Sequence, residues 1–160
     1  MAGDEPVIEH PNRRKLASKV TKVLVVLLLL VSAALILVVT IGGWDELQGA
    51  KALQIAYVAL DVIMAFLVAR WNRGVLPVAA ALAIVMLIFA AIAGPQWFER
   101  DKEGFAQPAL DAGVLGLVTL LIVPVQALLI LASMQAFRQA WNLEVERRPE
   151  SSRRAVPQPG

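Results

Sequence analysis

The sequence predicts an all-α integral membrane protein, a bundle of four transmembrane helices with both termini on the cytoplasmic side. Three observations lead there. First, four apolar runs divide the chain of 160 residues, and each is long enough to cross a hydrocarbon layer of about 30 Å as a helix. The composition agrees: 58% of residues are hydrophobic and the mean hydropathy is +0.66, above the apolar share of a soluble domain. Second, twelve of the fifteen Lys and Arg fall in segments 1–22, 70–74 and 138–160, which four spans place on one side. Lys51, Arg100 and Lys102 fall on the other, and basic loops stay inside. Third, Trp44, Trp71, Trp97 and Trp141 fall one at the exit of each span, where aromatic belts sit.

Taken in order, residues 1–12 are polar, carry two Pro and lack helical periodicity, which reads as a disordered tail. Removing residues 1–10 and 151–160 is therefore expected to leave stability unchanged. Asn12 is suited to cap a helix beginning at Arg13, and the membrane domain is expected over 13–148. Arg13, Arg14, Lys15, Lys19 and Lys22 form a basic collar that suits anionic lipid headgroups. No aromatic residues interleave with these charges, so a nucleic-acid partner is not expected.

The first span is expected over 20–43. A basic stretch followed by an apolar run also describes a secretory signal with cleavage after Ala33. The run continues through Ile41, however, and the leading tail is long and partly acidic, which favours an uncleaved span. Gly42 and Gly43 break the helix before a loop carrying Asp45, Glu46 and Gln48. The second span, 52–70, ends in a tight turn with Arg70 and Arg73. The third, 75–95, takes Pro77 in its first turn, where a missing N–H is harmless, and is expected to stop at Gly94-Pro95. Residues 96–107 form the longest loop. Asp111 falls in the first turn of the fourth span, 110–138, where a helix N-terminus favours negative charge. Pro124 removes a donor and crowds the Leu120 carbonyl, predicting a kink. That helix is expected to run on past Arg138 until Pro149, followed by a disordered tail over 149–160.

The chemistry is concentrated in the spans. Asp61 lies at the midpoint of the second, at a depth where a carboxyl group costs about 3 kcal/mol on insertion scales. Gln54, Tyr57 and Asp61 are spaced three and four apart, so they share a helix face. Thr119, Gln126 and Ser133 are spaced seven apart and share another. Counted from the span ends, Ser32, Asp61 and Gln126 fall at the midplane. The first, second and fourth helices are thus expected to meet in a hydrogen-bonded layer of Asp61, Gln126, Ser32, Tyr57 and Thr119. Gln54 and Tyr57 would line an access stripe towards it.

Asp61 has three readings, since no Lys or Arg lies within a span to pair with it. It can be neutral helix glue bonded to Gln126 or Ser32. It can be a functional acid that takes a proton, a cation or a polar small molecule. It can meet a cation on another subunit, including a second copy. Small residues four apart, such as Ala52 and Ala56, let helices approach closely, although in an Ala-rich chain they identify no function.

Several chemistries are excluded within the chain. There is no Cys, and the one His, His10, lies outside the spans. Cysteine-ligated metal sites, membrane-embedded haem held by two His and ordinary Ser–His catalysis therefore have no residues to use. A single intramembrane Asp rules out a two-aspartate protease. No cofactor, no metal and no enzymatic activity are expected. The ten Arg against five Lys, with abundant Ala, Val and Leu, suggest a GC-rich bacterial genome, and hence a multi-pass protein of the bacterial plasma membrane. The expected function is a non-enzymatic subunit or scaffold that forms a homo-oligomer or joins a membrane partner protein. The alternative is a small transporter or proton-coupled carrier using Asp61, Tyr57 and Gln126.

The orientation has a direct test, because introduced Cys residues have no native competitor. Cys at Gln48 or Gly104 is expected to react with an impermeant thiol reagent added outside intact cells, and Cys at Asn72 or Ser151 is not. The reverse pattern would overturn the topology.

Overall fold

The computed structural model describes residues 7–100 and 102–147; the tail expected over 149–160 lies outside them. Hydrocarbon offers no partner for backbone N–H and C=O groups, so an apolar run satisfies them internally by forming a helix. Four long helices result: α2 (Leu16–Gly42), α3 (Ala50–Ala69), α4 (Leu76–Arg100) and α5 (Ala112–Arg138), preceded by the short α1 (Pro11–Arg14). All four are long and apolar enough to cross a membrane. Their outward side chains are Leu, Ile, Val and Phe, including Leu27, Ile63, Ile88 and Leu131. Their inward positions hold Ser32, Thr40, Asp61, Thr119, Gln126 and Ser133, all buried. A protein with an apolar rim and polar groups within is built for lipid.

The bundle is not a closed ring. α2 packs along both α3 and α5, and α4 packs along α5, whereas α3 and α4 touch at few points although a short turn joins them. The sequence of neighbours is therefore α3, α2, α5, α4, with an open seam between the first and the last. The α4–α5 contact is close because a small residue permits it. A Cβ added at Gly94 would lie 2.5 Å from the Leu120 side chain, so any larger residue there would have to displace it.

The polar layer divides the apolar core in two. Val25, Leu29, Met64, Val68, Ala79 and Leu129 pack towards the end carrying the α3–α4 turn. Ile36, Val39, Tyr57, Met86, Leu115 and Ile122 pack towards the opposite end.

Three element boundaries differ from the sequence expectation. α4 does not stop at Gly94-Pro95 but runs through both to Arg100. Proline costs a helix one donor and crowds one carbonyl, and here the flanking contacts offset that. Gly94 lies against Leu120, and Trp97 lies against Gly43, where a Cβ would come within 2.6 Å of the indole. α5 is continuous through Pro124 and ends at Arg138 rather than running on towards Pro149. Ala140 adopts φ +48°, turning the chain back so that Trp141 becomes fully buried. Burying the indole gains more than another turn of solvated helix would.

The third difference is at the N-terminus. Residues 7–9 are not a free tail: β1 (Val7–Glu9) pairs antiparallel with β2 (Val145–Arg147), Ile8 opposite Glu146. Asn12 lies inside α1, whose N-cap is His10 without a side-chain cap. Instead Asn12 Nδ2 donates to the Ala140 carbonyl at 3.1 Å, and Arg13 Nε donates to the Trp141 carbonyl at 3.0 Å.

These contacts belong to a clasp that ties one end of the bundle. Lys22 Nζ donates to the Ala69 carbonyl at 3.3 Å and sits 4.2 Å from the Trp71 ring centroid. Arg73 Nε donates to the Phe137 carbonyl at 2.8 Å. Both carbonyls lie in the last turns of α3 and α5, where helices leave acceptors unpaired and favour cations. Trp71 and Trp141 meet edge to face at 5.2 Å. Gln139 joins the layers, donating to Thr21 Oγ1 at 2.9 Å while its oxygen accepts from Trp141 Nε1 at 3.0 Å.

Trp141→Ala should therefore cost about 3–5 kcal/mol, as for other fully buried aromatic residues. Deleting residues 1–13 should lower the melting temperature as well. Denaturant titration and thermal melts in mild detergent measure both, and unchanged values would show that the clasp carries no stability.

Candidate functional site

The functional candidates converge on the middle of the bundle. Ser32 faces inward from α2 because Leu29, Ala33 and Ile36 hold the neighbouring positions of the same buried face. Asp61 faces inward from α3 between Tyr57 and Met64, and Gln126 from α5 between Ile122 and Leu129. The three side chains form a hydrogen-bonded chain. Gln126 Nε2 donates to Ser32 Oγ at 2.7 Å, and Ser32 Oγ donates to Asp61 Oδ2 at 2.6 Å. Ser32 is thus the link: it uses both its donor and an acceptor, and Gln126 does not bond Asp61 directly. All three are buried, with exposures of 0%, 4% and 2% for Ser32, Asp61 and Gln126. Bonds of this kind satisfy polar atoms that hydrocarbon would leave bare, and they fix the rotation of α2, α3 and α5 against one another.

The remaining candidates lie elsewhere. Thr119 is bonded to its own helix, donating to the Leu115 carbonyl at 2.7 Å, about two turns from Gln126 of the midplane chain. Tyr57 is buried among Ile36, Val39, Met86 and Ile122, and among the described residues it has no hydrogen bond to Asp61. Gln54 Oε1 lies 2.6 Å from Thr40 Oγ1, which also lies 2.7 Å from the Ile36 carbonyl. One hydroxyl proton cannot serve two acceptors. Both contacts are satisfied when Thr40 donates to the carbonyl and the Gln54 amide is turned to donate its NH₂. Ser133 is fully buried, and its Oγ has no partner among the described residues.

Thr40 and two charged residues complete what sequence reasoning missed. Thr40 lies eight residues from Ser32 on the same face of α2, a periodicity that could have found it. Glu46 and Arg100 form an ion pair across 54 residues of chain, which no local pattern announces.

Beside the pair opens a cavity of about 390 Å³ between α3 and α4, lined by Leu53, Gln54, Phe89, Ile92, Thr119 and Ile122 among others. Asp61, Ser32 and Gln126 are not among its lining residues. The described residues contain no group of three or more His, Cys, Asp and Glu that could hold a metal ion. Comparison with protein-family models, with curated proteins and with solved structures finds no match to this chain.

The midplane chain yields a graded prediction. Asn is nearly isosteric with Asp and keeps an acceptor for Ser32, so Asp61→Asn should retain wild-type melting behaviour. Asp61→Leu should lose about 0.6 to 2 kcal/mol, the range for membrane hydrogen bonds, because Ser32 is left without its acceptor. Thermal melts of the three proteins in one detergent make the comparison. Equal stability of Asn, Leu and wild type would remove the structural role of Asp61.

Proposed function

We propose that this chain is a non-enzymatic membrane subunit that associates with a second copy of itself, or with a membrane partner, through the outer face of α3. The observation that carries this reading is the position of that helix. α3 packs closely on α2 alone, and 28% of its span is buried, against 44% for α2. Its lipid side carries exposed Ala52, Ala56 and Ala59, followed by Ile63. These recur at three and four residues, the spacing of a single helix face. Small residues there let a second backbone come close enough for dispersion contacts, which drive helix association where there is no hydrophobic effect between helices.

The chemistry within the bundle supports the same reading. The carboxyl group at the middle of the spans, Asp61, already has its partner, Ser32, inside its own chain. A carrier built on Asp61, Tyr57 and Gln126 would need a path to Asp61, and the cavity beside α3 is lined by other residues. The spans hold no His or Cys to act as base or nucleophile. In the collar, Arg13 and Lys22 are committed to backbone carbonyls, while Arg14, Lys15 and Lys19 remain exposed. Those three are the residues that would meet anionic headgroups.

Cysteine cross-linking tests the assembly, since any disulfide must join two copies. Ala56→Cys or Ala59→Cys should give a covalent dimer on mild oxidation in native membranes, and Leu121→Cys on the lipid face of α5 should not. Ala56→Trp should return the particle extracted in lipid nanodiscs to the mass of a single chain without lowering its melting temperature. For a hetero-partner the same substitution should release a co-purifying chain. A wild-type protein extracted as a lone single chain would overturn the proposal.

A further inference from the structure

The open seam between α3 and α4 has a definite shape at the end carrying residues 43–49. Its floor is buried, with Ile36 2% and Met86 7% exposed, and its walls face the bilayer, with Leu53, Phe89 and Ile92 about half exposed. The crevice of about 390 Å³ falls within the size range of small-ligand sites, roughly 300–1,000 Å³. It runs from the Glu46–Arg100 ion pair, where α3 begins and α4 ends, down to Met86 and Ile122, one turn from the midplane residue Gln126. Apolar walls exclude water. A space of this form, opening sideways into hydrocarbon with charges at its head, has the dimensions and polarity of an amphiphile.

The charges narrow the choice. Glu46 and Arg100 present one negative and one positive group at the same place, with Arg100 also 5.9 Å from the Trp97 ring centroid. A zwitterionic phosphoethanolamine head complements both, its phosphate towards Arg100 and its ammonium towards Glu46. A head carrying a phosphate alone would compete with Glu46 for Arg100 and bring no ammonium to compensate that carboxylate.

We propose that the crevice seats one phosphatidylethanolamine molecule of the surrounding bilayer, an acyl chain lying between α3 and α4 and the headgroup over Glu46 and Arg100. Gln54 points about 160° around α3 from Ala56, whereas Leu53, three residues from Ala56, lies on the border between the crevice and the assembly face. The α4 wall, with Ile92 and Ala93, carries none of the assembly residues.

Native mass spectrometry of the full chain from nanodiscs containing equal phosphatidylethanolamine and phosphatidylglycerol tests the assignment. The wild type should retain one phosphatidylethanolamine per chain, roughly fivefold over phosphatidylglycerol, the scale of one interfacial charge contact. Ile92→Trp, at an exposed position, and Ala93→Trp, both on α4, should each fill the crevice and lose the retained lipid, with circular dichroism confirming that the helices persist. Glu46→Gln, which leaves the crevice intact, should keep a bound lipid but lose the preference. Three results would each overturn the proposal: no lipid on the wild type, equal retention by both Trp variants, or no headgroup preference. A particle holding a second chain whose contact is broken by Ala93→Trp on α4 would also overturn it, since the seam would then be a protein seat.

Discussion

The constraint on which the rest of this structure depends is that a polar side chain within hydrocarbon must find its partner inside the protein. Asp61 cannot face lipid without cost, and its partner Ser32 sits on α2. Ser32 in turn accepts from Gln126 on α5. Two bonds thus define which faces of three helices turn inward, and the apolar clusters on either side of the layer follow from that rotation. α4 contributes no polar group to the layer. It is held by its long contact with α5, where Gly94 accepts the Leu120 side chain. Because α3 and α4 attach to different neighbours, nothing closes the ring between them. The open seam is a consequence of where the polar residues lie.

Much of this was legible in the chain. Hydropathy identifies four spans because only a helix satisfies a long apolar backbone in lipid. The meeting of Ser32, Asp61 and Gln126 could be read from depth alone: three polar residues near the middle of three spans have few partners other than one another. Thr119 misled that argument. A threonine can bond the carbonyl four residues back along its own helix, and it does so with Leu115. Depth in the membrane says which residues need a partner, and it does not say whether the backbone has already supplied one.

The boundaries were less legible, for a physical reason. Gly94-Pro95 and the stretch after Arg138 carry opposite local signals, one for stopping a helix and one for continuing it. In both cases a tryptophan decides the outcome. Trp97 gains by lying on Gly43, which holds α4 helical past the proline, and Trp141 gains by burial, which ends α5 early. Local propensities of about 1 to 3 kcal/mol are readily overridden by burying an indole. The Trp residues mark the span ends in sequence, but Trp97 and Trp141 act as core side chains there rather than as a membrane belt. The pairing of residues 7–9 with 145–147 was hidden for a different reason. It joins two polar segments far apart in the chain, and neither has a pattern of its own.

The two ends of the bundle solve the problem of helix termini differently. At the clasp end, Arg13 and Arg73 cover carbonyls at and just beyond the end of α5, and Lys22 covers one at the end of α3. Basic side chains at this end are thereby used as caps, and the cost of desolvating them is shared with Trp71 and Phe137 through cation–π contacts. At the opposite end the Leu110 amide bonds the Gly42 carbonyl and Asp111 caps α5 by accepting from the Val114 amide. Those bonds tie α5 to α2 and leave α3 and α4 bridged there by Glu46 and Arg100. The seam between α3 and α4 is thus closed at one end by the turn that joins them and crossed at the other by the Glu46–Arg100 pair. The crevice lies there, where the lipid-facing walls of the seam and its pair of charges come together.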